Sequence, residues 1–368
     1  MAKKSVDLTT LSGWANLSGG NHTIKIVAKG TGYSDSEKSA GVEVFKGYTD
    51  CLTFTGIDSE FTLTATNTSW WGTLEWSTDH INWRKLQNVV GESVTMQSLD
   101  KKLYLRGKNN NRGFYRDYQG VEFVLSAKAY CKGNIQTLID WENPPSFIPT
   151  YNCYDSMFSG CTNLISAPEL PATSLNPNCY QSMFSGCTNL ISAPELPATS
   201  LLDYCYSFMF RGCTNLISAP ELPATTLAEY CYLNMFQGCT NLTSAPELPA
   251  TTLAYSCYGH MFEGCTNLIS APELPATTLA DYCYSNMFQG CTSLTTAPEL
   301  PATTLAKGCY GHMFKGCTKL KVNDISGNKI FTCPSSIPTD AVKDMFTNTG
   351  GEFTAGTPTA GNTYYYTV

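Results

Sequence analysis

A Met-Phe pair recurs at Met157, Met183, Met209, Met235, Met261, Met287 and Met313, always 26 residues on. The cleanest copy runs from Tyr232 to Ala250 and contains the phrase "MFQGCTNLTSAPELPA". Self-similarity at a fixed period of a few tens of residues constrains a chain to a stack of like units. One such unit cannot bury its own apolar face, whereas neighbours stacked in register form a continuous core.

Within the unit, Leu242-Thr243-Ser244-Ala245 alternates apolar and polar residues and predicts a short strand. Pro246 ends it, having no N–H to donate. Leu253, Cys257 and Met261 follow at spacings of four, which predicts one face of a short helical or 3₁₀ arm closed by Gly264. Parallel strands stack at about 4.8 Å, so seven coils make a rod of roughly 34 Å. The inward set of Leu, Cys, Met and Phe is nearly the same in every copy, as register stacking requires.

The phrases "MFxGCTNLxSAPELPATTL" and "CYxxMFxGC" resemble the leucine-rich repeats of BspA-like bacterial surface proteins, which also occur in proteins of gut-bacterial phages. The resemblance covers about 144–321, repeated seven times. It implies a leucine-rich-repeat solenoid of short parallel strands and short helical arms, with an adhesive or ligand-binding role and no catalytic residue. The pattern fails at Lys319-Leu320-Lys321-Val322-Asn323, where the regular stack is expected to end.

Charge narrows the partners. The net charge is −7, and residues 151–320 carry 4 basic and 11 acidic side chains, which is the whole excess. Nucleic acid is not expected against a surface of that sign. No run of 18 apolar residues exists, so no membrane insertion is expected. Met1 to Asp7 carries two lysines with no apolar stretch behind them, unlike a signal peptide. That start fits either a piece of a longer secreted protein or a cytosolic product released by another route, such as phage lysis.

Fourteen of the 17 cysteines belong to the repeat, two per coil. Like cysteines in adjacent coils would lie close enough for bridges. Buried thiols packing as small hydrophobes are the preferred expectation.

The rest of the chain reads as β modules. Residues 1–47 hold His22 to Ala28 and Gly41 to Phe45 as strands of a partial immunoglobulin- or fibronectin-like module. That piece is either an attachment segment for another virion or surface protein, or the end of a longer array. Residues 48–143 read as an antiparallel β-sandwich whose last part, Tyr130 to Ile139, caps the repeats. Residues 144–321 are the coils. Residues 322–368 read as a C-terminal cap, with Asp344-Met345-Phe346 echoing the coil at broken spacing and Tyr364-Tyr365-Tyr366 closing an edge.

No catalytic order, paired acid and base, phosphate loop or cofactor motif can be assembled from the four histidines and the carboxylates, so the chain reads as non-enzymatic. Cys257, His260 and Cys265 could offer three zinc ligands, as could Cys309, His312 and Cys317. Five other coils keep both cysteines without a histidine, so no metal is expected.

Two binding candidates remain. Glu169, Glu195, Glu221, Glu247, Glu273 and Glu299 occupy one position in six successive coils and should form an outward column. It reads either as a solvated acidic edge or as a linear face for a repeating ligand such as a glycan. Trp70 and Trp71 are adjacent, so one must leave the core and could stack on a sugar, whereas Trp76 alternates with Leu74 and is expected inside. Arg211, Gln237, Glu263, Gln289 and Lys315 vary from arm to arm and form another candidate face. The function expected is recognition of a cell-surface glycan or protein. A phage virion or fibre-like protein is preferred, with a bacterial adhesin fragment or a structural spacer as alternatives. Oligomeric state is left open.

Overall fold

A computed structural model describes residues 20–27, 37–44, 51–66, 70–87, 92–109, 112–116 and 119–368. The first module is represented by one antiparallel hairpin, β1 (Gly20–Val27) with β2 (Glu37–Val44). Its turn residues, Lys29 to Tyr33, and the remainder of 1–47 lie outside the described residues.

The next strands are β3 (Leu52–Gly56), β4 (Thr62–Thr66), β5 (Thr73–Ser77), β6 (Arg84–Lys85), β7 (Val94–Gln97) and β8 (Lys102–Lys108). Then come β9 (Tyr115–Arg116), β10 (Gln119–Gly120), β11 (Glu122–Leu125), β12 (Ala129–Lys132) and β13 (Leu164–Ser166). One sheet has the order β11-β4-β7 and the other β13-β12-β3-β8-β5-β6. Alternation within β3, β4 and β8 sends Leu52, Phe54, Leu63, Ala65, Leu103 and Leu105 into one core.

That core does not stop at the sandwich. β12 pairs antiparallel with β3 and parallel with β13, which already belongs to the first coil. Phe123 lies 5.6 Å from Phe158, and Phe114 lies 5.7 Å from Tyr154, between ring centroids. The Phe114 and Phe123 amides donate to Cys153 and Met157 carbonyls, and a buried 3₁₀ turn, Ile135–Leu138, covers the corner. The first coil is therefore covered by more of the sandwich than Tyr130 to Ile139 alone.

The coils depart from two expectations. Leu164–Ser166 is a strand, but the succeeding copies meet only through single bridges such as Ser192 to Ser218 and Ser244 to Ser270. The Leu190 amide is committed to a turn with Cys187, and Pro194 has no N–H, so Ile191 to Ile165 is what remains of a ladder.

The arms are not helices either. In Asn178–Gly186 the odd-numbered amides close turns on residues three back: Gln181 to Asn178, Met183 to Tyr180, Ser185 to Ser182. The even-numbered amides cross to the next coil: Tyr180 to Cys205, Ser182 to Ser207, Phe184 to Met209, Gly186 to Arg211. Every fourth residue has positive φ (Asn178 57°, Ser182 54°, Gly186 74°) and falls at the third position of alternate turns, as Ser182 does in Tyr180–Met183. The arm is a ribbon of overlapping turns, and its four-residue period is why Cys179, Met183 and Cys187 share the inner face.

The core is correspondingly columnar. Phenylalanines from Phe158 to Phe314 stack at 5.6–5.7 Å between neighbours. A tyrosine column from Tyr154 to Tyr310 stacks at 5.7–6.0 Å. Both spacings exceed the coil rise of about 4.8 Å, so the rings are offset as their quadrupoles prefer. The fourteen repeat cysteines are buried free thiols. One of their two columns donates to carbonyls of the preceding coil, Cys187 to Phe158 at 3.0 Å and Cys213 to Phe184 at 3.1 Å.

The stack runs one arm further than the sequence pattern. Residues 340–348 form an eighth arm that accepts Tyr310, His312 and Phe314 amides and extends the phenylalanine column to Phe346. The final sheet, ordered β15-β17-β14-β16, comprises β14 (Lys321–Asn323), β15 (Asn328–Thr332), β16 (Gly350–Gly351) and β17 (Thr363–Thr367). It lays Tyr364 against Phe331, Phe346 and Phe353 at the end of the core.

Candidate functional site

Six successive coils turn their corners with the sequence Ala-Pro-Glu-Leu-Pro. The leucine points inward, 2–3% exposed in every copy, and anchors the corner. Glu169, Glu195, Glu221, Glu247, Glu273 and Glu299 are all exposed beside it. Proline rings on either side of each carboxylate cannot donate hydrogen bonds and present fixed apolar walls.

Adjacent corners enclose open clefts. One of about 450 Å³ lies between Pro194, Glu195, Leu196, Pro197, Pro220 and Glu221. Another of about 390 Å³ lies between Pro168, Glu169, Pro171, Pro194 and Glu195. Glu195 is shared by both, so the face repeats apolar wall, carboxylate, apolar wall at the coil period. Glu299 differs from the others: Lys329 of β15 reaches it at 3.1 Å.

The adjacent tryptophans divide between core and rim, as their spacing suggests. Trp70 is core, 1% exposed, and Trp71 is partly buried with the Arg112 guanidinium 5.0 Å from its ring. Trp76, expected inside, is only partly buried and lies under Arg84 at 5.0 Å, because β5 loses its alternation after Leu74. The aromatic surface lies on the outer side of β8. There Arg106 is held between Trp83 at 4.0 Å and Trp141 at 4.2 Å, with Glu75 2.8 Å from its guanidinium. Alternation of Arg106 with buried Leu105 signals that outward position; nothing in the sequence signals that two tryptophans close over it.

Enzymatic and metal chemistry can be weighed on the same geometry. Among the described residues, Cys51 Sγ approaches His80 Nε2 at 4.0 Å, the outer limit of a hydrogen bond through sulfur, with the thiol buried. Burial and nearby Lys102 hold the His80 pKa below its usual value. His260 turns to Glu263, Nδ1 to Oε2 2.7 Å, while Cys257 and Cys265 are fully buried, so that trio does not converge. His260 and Gln237 hold the Glu263 carboxyl below its usual range. The variable face is thus partly knitted from coil to coil at Gln237 and Glu263.

Stacked turn-ribbon coils with a leucine at every corner define a repeat protein. The chain belongs to the BspA-type leucine-rich repeat family, whose model matches residues 148–268 and 233–337 in six copies, just over half of the chain. No curated protein and no solved structure matches the chain. Repeats of this type fit an adhesin-like surface protein.

Proposed function

We propose that this chain is a non-enzymatic surface-recognition protein: a leucine-rich-repeat solenoid, carried behind immunoglobulin-like β-sandwich modules, that adheres through the proline-glutamate face to cell-surface glycan or protein. The observation that carries this reading is the repetition of one cleft at the coil period, exposed and lined by apolar walls with a carboxylate. Such a surface suits a linear ligand that offers an apolar face and hydrogen-bond donors at each step, as a polysaccharide does. On this reading residues 1–47 are the attachment end and 322–368 the terminal cap.

The test is binding of labelled protein to glycan arrays, gut bacteria and epithelial cells, alongside Glu169→Gln/Glu195→Gln/Glu221→Gln, which changes every carboxylate of the two clefts. The triple variant should lose at least about tenfold in affinity, little more than one hydrogen bond's worth of free energy. Unchanged binding would remove the site from this face. Binding to epithelial cells or matrix supports a bacterial adhesin. Selective binding to bacteria moves the reading to a virion protein contacting its host. Binding to none of them favours a spacer.

A further inference from the structure

The corner leucines carry a hydrogen-bonding group that the coils leave unused. Among the described residues, no atom of the chain accepts the Leu170 or the Leu196 amide. Both side chains are buried, yet both residues line the open clefts, so what they offer there is main chain. Leu170 faces the cleft it shares with Pro194 and Glu195, and Leu196 the cleft it shares with Pro220 and Glu221. Each cleft therefore combines a main-chain N–H donor, exposed carboxylate acceptors and walls of proline, which has no N–H to donate.

The last corner shows how these groups are satisfied when a partner reaches them. Leu300 donates to the Ile330 carbonyl at 2.7 Å, and Lys329, one residue earlier in β15, brings its ammonium to Glu299 at 3.1 Å. An amide carbonyl on the leucine and an N–H donor on the glutamate thus fill both polar positions together. β15 lies there because the row of corners has ended. Between Glu169 and Glu221 the same track belongs to the next coil, about 4.8 Å away, so no strand can lie beside the leucine. Only a small group projecting from a chain that lies over the face can enter. The clefts, of about 390 and 450 Å³, fall within the range of ligand sites, about 300–1,000 Å³.

Taking the proline-glutamate face as the adhesive surface, we propose that its ligand is a polysaccharide bearing acetamido groups, one of which seats in each of these two clefts. The amide carbonyl accepts from the Leu170 or Leu196 N–H, as the Ile330 carbonyl accepts from Leu300. The amide N–H donates to the carboxylate of Glu195 or Glu221, and the methyl group lies against the proline rings. A plain sugar hydroxyl meets the same donor and acceptor but leaves the apolar walls facing water. A bare ammonium satisfies the glutamate and leaves the leucine amide without an acceptor. The acetamido group supplies acceptor, donor and methyl together.

The probes are chitohexaose, cellohexaose and glucosamine hexamer, which share one β-linked backbone and differ in carrying acetamido, hydroxyl or ammonium groups. Each is titrated calorimetrically into the whole chain. Chitohexaose should bind at least about tenfold more tightly than cellohexaose, as two seated amides with their methyl groups allow. Glu169→Gln/Glu195→Gln/Glu221→Gln should weaken chitohexaose about tenfold, because each amide N–H then meets a neutral acceptor in place of a charged one. Thermal melting of the variant verifies folding. Equal binding of chitohexaose and cellohexaose overturns the acetamido assignment, even where the triple variant has lost its adhesion to cells and the face itself stands. Tighter binding of glucosamine hexamer overturns it in favour of plain charge attraction. It is overturned equally if the triple variant binds chitohexaose as well as the original chain, or if the original chain binds none of the three. Cell adhesion of the triple variant thus reads the face, and the chitohexaose-to-cellohexaose ratio reads its chemistry.

Discussion

At the scale of single residues, the arm assigns each side chain by a four-residue clock. Two successive positions face inward, as Cys179-Tyr180 and Met183-Phe184 do, and a left-handed residue recurs every fourth position. Asp155 shows the effect of placing a charge in this frame. Burial in the first arm raises its pKa to about 6, despite the Ser156 hydroxyl donating to it at 2.9 Å. Between the ordinary carboxylate value and about 6 the folded state binds more protons than the unfolded chain, so stability falls as pH rises through that window. Asp155→Asn should therefore raise unfolding free energy at pH 8 by about 2 kcal/mol and leave it nearly unchanged at pH 4. Denaturant unfolding at the two pH values checks the sign.

At the scale of the element, the coil is legible in part. The inward leucines, cysteines, methionines and phenylalanines are readable directly, because identical residues recur at 26. Spacings of four also place Cys257 and Met261 together correctly, but a turn ribbon produces that period as readily as a helix does. Nothing in Tyr-Cys-Tyr distinguishes them until the alternate amides are seen crossing to the next coil. The buried tyrosines are equally open to view in the repeat, but a hydroxyl-bearing ring at an inward position carries no period of its own. Trp76 packs against the core but is only partly buried, through an irregularity within β5 that is invisible to alternation. Since every inter-coil bond spans one repeat, deleting residues 234–259 should leave register intact and melting within a few degrees, as expected for a nearest-neighbour stack. Removing one residue fewer should give aggregated protein; size exclusion and circular dichroism separate the outcomes.

At the scale of the molecule, sandwich and stack are one cooperative body, with Phe54, Phe123 and Phe158 in one core. The composition and repeats allow the two to be read as neighbouring modules, but the sharing of β12 between β3 and β13 depends on tertiary pairing that no local pattern encodes. A fragment of residues 140–368 would bare the first coil's apolar face and unpaired carbonyls, and should aggregate where the whole chain stays monodisperse in size exclusion. The bonds that join coil to coil bear on how such a body responds to pulling. They run along the stack, between amides of one arm and carbonyls of the next, so tension between the two ends loads them in series. The junctions then open singly, beginning at the weaker end, and each release adds about 90 Å of chain. A protein holding a surface under flow would lengthen in steps and cap the force on its contacts, then shorten as the coils restack.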